Sequence, residues 1–301
     1  MHNPLFSILV ANYNNGHFFK DCYESIINQT YSNWECVIVD DGSTDNSVQQ
    51  IRDIIGEDNR FKVYQNEINK KCGYTKNRCA ALAEGEIMGF LDPDDTLVNS
   101  ALEIMVAAHI KHAEVVIITS KYEQVNLDMS FKLAIEINGV IPEGKSYLTA
   151  QDKVLTSFAT FKQKAYLKTI GIDAKMTRAV DQDLYYKMEE QGKHLFLDQV
   201  LYRYRINENS ISANKNSIKA RYWHCYAKMK ASERREKSAI DNFSIVQKKQ
   251  IKSKYYYYKY KKSKIDAKKC AIFYFYFKII FNLPRQDLKI KFLTKFKNLL
   301  R

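Results

Sequence analysis

The sequence predicts an α/β fold: a mixed, mainly parallel sheet flanked by helices and followed by a basic helical extension. Three observations carry this expectation. Over the first 125 residues, apolar runs of strand length alternate with stretches of helical periodicity, the order that βαβ units produce. Several runs are continuously apolar, as strands buried on both faces are. Three of them end in polar clusters, and open α/β sheets bind ligands beyond their C-terminal strand ends, near a topological switch point.

Taken in order, "LFSILVANY" is the first such run and is bounded by "NNG". "HFFKDCYESIINQT" follows with Phe18, Cys22, Ile26 and Ile27 at helical spacing. "WECVIVDDGSTDNS" is a second buried strand ending in an acidic turn, where Ser43 or Asp45 is placed to cap the helix "SVQQIRDII". "RFKVYQN" predicts a strand, "GYTKNRCAALAEG" a helix stopped by Gly85, and "EIMGFLD" another strand. "LVNSALEIMVAAHIKH" has helical character and "AEVVIITSKYE" strand character. Residues 126–214 are less regular; "DQDLYYKMEEQG" predicts a short helix and "KHLFLDQVLYRYRINENSIS" strands followed by a polar turn.

Charge divides the 301 residues unevenly. Residues 215–301 carry 25 Lys and Arg against 5 Asp and Glu, whereas residues 1–214 carry 22 against 29. A mildly acidic body therefore bears a strongly basic tail, and an anionic partner is expected for the tail alone. The six cysteines, Cys22, Cys36, Cys72, Cys79, Cys225 and Cys270, show no C-x-x-C spacing and are expected to be reduced thiols of a cytosolic protein. "MHNPLFSILVANYNN" has no basic region ahead of its apolar run, so no secretory signal is expected, and no apolar run reaches spanning length.

The polar clusters carry the chemistry. They are Asn12, Tyr13 and Asn14; Asp40, Asp41 and Asp45; and Asp92, Asp94 and Asp95. Converging carboxylates repel one another unless a cation sits among them, and hard oxygen ligands suit Mg²⁺ or Mn²⁺. Pro93 fixes its own φ and drives Asp92 towards an extended conformation, stiffening the point where the carboxylates leave the sheet. In isolation "DPDD" is an acidic turn; its place after an apolar strand, beside a second acidic strand end, gives it meaning.

"FSILVANYNNGHFFKDCYESIINQTYSNWECVIVDDGSTDNS", followed by "KNRCAALAEGEIMGFLDPDD", resembles the family 2 glycosyltransferases of the GT-A fold. The likeness covers residues 4–125 closely and reaches 214 more loosely. It implies a domain over 1–214, with 1–125 as the nucleotide-sugar-binding half and 126–214 as the acceptor side, and 215–301 as an appended extension. Such enzymes move a sugar from a nucleotide-sugar, most often a UDP-sugar, to an acceptor hydroxyl with inversion. Carried over by position, the resemblance puts Ala11 and Tyr13 at the donor nucleoside, with Tyr13 stacked on the base, an interaction of about 1–3 kcal/mol. It gives Asp41 the uracil imide N–H, sets Asp40 by the nucleoside, and brings Lys76 to the diphosphate as a point charge. It makes Asp92 and Asp94 the metal-binding pair, Asp94 coordinating directly, with Asp95 supporting that loop or the ribose.

Inverting transfer also needs a base opposite the leaving diphosphate. "RAVDQDLYYKM" resembles the family's acidic segment, which assigns Asp181 as base; Asp183 is its nearest competitor, and capping of the following helix is the other role open to Asp181. "YRYRINENSIS" resembles a segment that often reads Tyr-Arg-x-His, but Asn207 stands at the histidine's place and is a weaker metal ligand. Tyr202 and Tyr204 alternate with Arg203 and Arg205, so each pair faces its own way. Arg205 is read either as a diphosphate contact or as structural, and His194 as surface or structural.

The tail is Lys- and Tyr-rich, with "KYYYYKYKKSK" its most biased segment. "AIFYFYFKIIF" is too short to span a bilayer, while "LKIKFLTKFKNLL" projects Leu288, Phe292, Leu293, Phe296, Leu299 and Leu300 to one side of a helix. An anionic membrane interface is the expected partner, with packing on the body or on a second subunit as the alternative; nucleic acid is disfavoured because no recognised module accompanies the basic residues. The expected location is cytoplasmic, peripheral on the inner face of the membrane, with a glycan or lipid-linked glycan as acceptor. Two other classes stay open at this point. A nucleotidyltransferase would be expected to carry a Gly-rich loop where this chain reads "ANYNNG", and a non-catalytic nucleotide-sugar or anionic-polymer binding protein would have no use for Asp181.

Overall fold

A computed structural model describes residues 2–135, 139–150, 157–206, 217–238 and 244–265, together with Lys278, Ile279 and Asn282. The chain divides into two compact units, Met1–Ser210 and Ile211–Arg301.

The first unit is built on one sheet. The apolar runs form β1 (Phe6–Asn12), β2 (Trp34–Asp40), β3 (Phe61–Gln65) and β4 (Ile87–Phe90). They pair in parallel in the order β3-β2-β1-β4. The intervening helices are α1 (Phe19–Ile27), α2 (Ser47–Ile55) and α3 (Cys72–Leu82). Every residue of β2 is buried. The apolar run 36–39 fills the core, where each fully buried Val or Ile adds roughly 1.5–3 kcal/mol. The carboxylates Glu35 and Asp40 are satisfied by Ser7, Lys62, Asn12 and Ser43. Chain order runs outward from β1 to β3 and then returns to β4 on the other side of β1. That reversal is the switch point where such sheets bind ligands.

Beyond β4 the sheet becomes mixed. A two-residue strand, β5 (Thr96–Leu97), precedes α4 (Ala101–Lys111) and the long β6 (Val115–Val125); β7 (Phe131–Ala134) folds back on β6. β8 (Thr160–Lys162) runs antiparallel between β4 and β6 and leads into α5 (Gln163–Tyr166). After α6 (Val180–Glu189), β9 (Lys193–Arg205) pairs parallel to β6 and receives β5 antiparallel. β5, β7 and β8 have too few residues to establish a period, so sequence patterning passes over them.

Three local expectations change. The buried face of α1 is Phe19, Cys22 and Ile26, because a 3-10 turn at Gly16–Phe18 delays the helix by one residue and leaves Phe18 part-exposed. Helix α3 ends at Leu82 rather than at Gly85, with Ala83 already extended. Gly85 answers a different need: its N–H donates to Ser7 Oγ at 2.7 Å, and a Cβ there would lie 2.5 Å from the same oxygen. Neither Ser43 nor Asp45 caps α2, whose N-cap position is Asn46 without a side-chain bond; Asp45 Oδ1 accepts the Ser47 N–H from one residue further out.

The second unit contains α7 (Ser217–Ser238) and α8 (Ile245–Ile265), which pack through Cys225, Met229 and Tyr255. Tyrosines continue that seam, with Tyr222 and Tyr255 ring centroids 5.8 Å apart, and lysines lie over the rings, Lys262 on Tyr222 and Lys259 on Tyr255. Among the described residues no helix is long and apolar enough to cross a membrane. The amphipathic segment expected at 288–300 lies outside the described residues. The five cysteines within them are free thiols.

Two histidines are locked into the first unit. His109 of α4 is buried, its Nε2 3.0 Å from Thr160 Oγ1, and burial with Lys162 nearby lowers its pKa to about 3. His194 is structural rather than a surface residue: its Nε2 lies 2.7 Å from Thr119 Oγ1, and burial lowers its pKa to about 4. The unfolded chain therefore takes up protons below the ordinary value of 6.5 that the folded chain refuses, so stability falls as pH drops from there towards 4. Urea midpoints are expected to decline between pH 6.5 and 4.5, and to decline less in the double variant His109→Gln/His194→Gln; an equal slope in both proteins would contradict this.

Candidate active site

The site begins where β1 and β2 end in register, Asn12 opposite Asp40. Asp40 is wholly buried, and its carboxylate accepts from Asn12 Nδ2 at 2.7 Å, the Ser43 N–H at 2.8 Å and Ser43 Oγ at 2.5 Å. Ser43 Oγ in turn accepts the Asn14 N–H at 2.8 Å, and Asn14 Oδ1 accepts the Thr44 N–H at 2.8 Å. Asn14 adopts φ 53, a left-handed conformation that asparagine tolerates better than most residues. These bonds sew the two strand-end loops together and leave Tyr13 turned outward, 44% exposed, directly after Ala11 and Asn12.

Asp41 points to the neighbouring strand end. Its oxygens accept from Asn66 Nδ2 at 2.9 Å, the Lys70 N–H at 2.7 Å and the Lys71 N–H at 2.8 Å. Gly42 makes the turn possible: at φ +69, a Cβ would press on the backbone of Ile68 and Asn69. Asn66, at the end of β3, was not singled out by sequence reasoning. A single asparagine after a short strand carries no signal until its amide is seen bridging Asp41 and Arg78, whose Nη1 donates to Asn66 Oδ1.

The loop after β4 carries the three clustered carboxylates. Asp95 is buried and accepts from Tyr202 Oη at 2.6 Å and the Arg205 N–H at 2.8 Å. Burial, with Asp94 and Asp92 adding repulsion, pushes its carboxyl well above the ordinary 3.8 despite those two bonds. Asp94 is half-buried; burial and the neighbouring Asp92 raise its pKa as well. Arg205 is buried and directed into the protein. Its Nε donates to the Asp94 carbonyl oxygen at 2.8 Å, Nη1 to the Leu127 carbonyl oxygen at 2.8 Å and Nη2 to the Asp21 carboxylate, while its guanidinium covers the Phe18 ring. Of the two sequence readings of Arg205, these contacts correspond to the structural one. Arg203 faces the other way and pairs with Glu123.

Lys76 of α3 meets Asp92, Nζ to Oδ1 at 3.0 Å. Burial opposes its charge, but Asp92, Cys72 and Asp181 outweigh that and hold its pKa above the ordinary 10.5. Burial foremost raises the thiol of Cys72, one turn earlier, to about 11; Lys76 opposes the rise, and Asp92, Asp181 and Asp41 add to it. Asp181 stands exposed in the first turn of α6, within the helix rather than at its N-cap, which is Ala179 at φ 54. Asp183 instead turns into the protein, its carboxylate 2.5 Å from Lys187 Nζ, both side chains almost fully buried. The segment that leads into α6 lies against α3: the Gly73 N–H donates to the Met176 carbonyl oxygen at 2.9 Å, and a Cβ on Gly73 would collide with that oxygen. Asn207 lies outside the described residues.

Among the described residues no group of three or more His, Cys, Asp or Glu encloses a metal position. The pair Asp92 and Asp94 still fits a hard divalent cation, which commonly binds through one or two carboxylates and completes its shell with phosphates and water.

A parallel sheet that gathers an outward aromatic, a buried Asn/Asp network and an acidic loop at its switch point defines a GT-A-type α/β domain. The profile of Glycosyl transferase family 2 matches residues 7–173, and the chain belongs to that family. It is 29% identical over 215 residues to a hyaluronan synthase of Pasteurella multocida, covering 71% of this chain and 22% of that one. The chain thus spans about a fifth of that relative's length. Among solved structures it resembles S. aureus TarS in complex with UDP-GlcNAc, with TM-score 0.64, 18% identity, and coverage of 93% and 81% of the two chains. It also resembles a mannosyltransferase from Pyrobaculum calidifontis in complex with GDP-Man and Mn²⁺, with TM-score 0.57, 14% identity, and coverage of 81% and 66%.

The raised Asp94 has a measurable sign. As pH climbs past the ordinary 3.8, the unfolded carboxyl ionises before the folded one, so ionising Asp94 in the fold costs stability. With chelator present, Asp94→Asn is expected to be more stable than the parent at pH 7, the gap closing towards pH 4 in thermal unfolding. A variant less stable than the parent at pH 7 would contradict this.

Proposed function

We propose that this chain transfers a sugar from a nucleotide-sugar, a UDP-sugar in the first instance, to a hydroxyl of a glycan or lipid-linked glycan, with inversion. One observation carries the reading: at the switch point Asn12 and Asp40 join the ends of β1 and β2, and on the adjoining strand the acidic loop after β4 meets Lys76 of α3, Nζ to Asp92 Oδ1 at 3.0 Å. That juxtaposition supports donor handling at the strand ends.

Each residue's surroundings support a distinct part. Tyr13, outward beside the first strand end, offers a face to the nucleobase. A carboxylate has about four acceptor positions, and Asp41 has three protein donors, so about one is left for an imide N–H. Asp40 and Asp95, both buried and hydrogen-bonded, order the two loops, which supports Asp40 beside the nucleoside and Asp95 as the support of the acidic loop or the ribose. A divalent cation, Mn²⁺ or Mg²⁺, held by Asp94 and Asp92 would supply charge neutralisation on the leaving diphosphate. The Mn²⁺ of the mannosyltransferase complex supports this class of metal. Asp181, exposed while Asp183 is locked to Lys187, takes the acceptor's proton as the new bond forms. The 25 basic residues of 215–301 support an anionic membrane surface as the extension's partner, with the enzyme on the cytoplasmic side.

The test combines binding with turnover. A panel of nucleotide-sugars with Mn²⁺ is expected to give its largest rise in melting temperature with a UDP-sugar, since a ligand specific to the native state stabilises it. Asp181→Asn is expected to keep that rise while acceptor-dependent UDP release falls by about 10²–10⁴-fold. Near-normal release by the variant would remove Asp181 as base, and no response to any nucleotide-sugar would remove the donor site.

A further inference from the structure

The ion pair between Lys76 and Asp92 is uneven. Lys76 is largely enclosed, its side chain 15% exposed and its ammonium 5.0 Å from the centre of the Phe90 ring, whereas the Asp92 side chain is 46% exposed. The cation is supplied from inside the protein, and the carboxylate stands at the opening. Asp95, the innermost acid of the loop, has different partners and is held by Tyr202 and the Arg205 N–H. Lys76 is the side-chain partner that the described residues give to Asp92.

We propose that Lys76 is an exchangeable counter-cation: it neutralises Asp92 until a divalent metal and a nucleoside diphosphate arrive together, then passes to the diphosphate. This rests on the donor site proposed above. The physical reason is charge balance in a partly dehydrated place. A dication arriving alone at Asp92 and Asp94 meets the Lys76 ammonium at contact range of one of its ligands, and a largely buried ammonium cannot be left without an anion. A metal arriving with a diphosphate brings the anion that Lys76 needs. The metal and nucleotide therefore bind as one ligand, and Lys76 transmits the coupling. Arginine at this position would tend to hold the carboxylate through a two-pronged contact, whereas lysine, a point charge on a flexible stem, is suited to changing partners.

The experiment is a Mn²⁺ titration followed by the electron paramagnetic resonance of the free ion, on the full chain, with and without UDP. Lys76→Met, close in length and uncharged, is expected to bind Mn²⁺ alone about fivefold or more tighter than the parent. The same variant is expected to bind UDP in the presence of Mn²⁺ about tenfold more weakly, so the mutual enhancement shrinks, within the usual range of such couplings. Lys76→Arg keeps the charge and is expected to resemble the parent towards Mn²⁺ alone. Thermal unfolding verifies that each variant is folded; should Lys76→Met fail there, Lys76→Gln is titrated for the same sign. Unchanged or weaker binding of Mn²⁺ alone by the uncharged variant would overturn the proposal. A parent chain that binds no UDP with Mn²⁺ would overturn the donor site itself, whereas UDP binding with equal coupling in parent and variant would overturn only the part given to Lys76.

Discussion

Three carboxylates at the end of a buried strand repel one another, and the rest of the site depends on how that loop is held. The restraint comes from the far end of the sheet. Asp95 is fastened to the Tyr202 hydroxyl and the Arg205 amide, while the Arg205 side chain fastens the Asp94 carbonyl oxygen and reaches Asp21 of the first helix. The two-residue strand Thr96–Leu97 pairs with Tyr202 and Arg203, which brings the loop off β4 and onto β9. Buried charge of this kind is a poor source of stability, but removing one partner of it is costly. Its value here is geometric: Asp92 and Asp94 are left facing outward because Asp95 faces in.

A second constraint joins the two halves of the first unit. Helix α3 supplies Lys76 to the acidic loop and, at Gly73, lets the 173–176 segment approach its backbone closely. Tyr166 Oη donates to Asn77 Oδ1 at 3.0 Å from the same helix. The 173–176 segment that leads into α6 is thus set by contacts with α3.

Much of this was legible in the sequence, and the reason is periodicity. Strands β1, β2 and β4 are largely apolar runs, interrupted only by Ser7 and Glu35, so their existence, their parallel pairing and the polar residues at their ends could be read directly. The family resemblance drawn from those residues agrees with the profile match over 7–173. What could not be read depends on partners distant in the chain. Arg205 and Asp95 are separated by 110 residues, and no local pattern tells whether an arginine at a strand end faces a ligand or a loop. Asn66 and Ser43 were missed or misassigned for the same reason: each finds its partner across a strand end. Asp181 and Asp183 are two residues apart, and only the burial of Asp183 with Lys187 distinguishes them.

On the proposed function, "DPDD" forms the protein side of a metal and diphosphate site. The most direct measurement is anomalous diffraction at the manganese edge from crystals of the full chain soaked with Mn²⁺ and UDP. One strong peak is expected in coordinating contact with the Asp94 carboxylate and a UDP phosphate oxygen, with Lys76 drawn from Asp92 to the diphosphate. A peak away from Asp92 and Asp94 in crystals that hold UDP would contradict it.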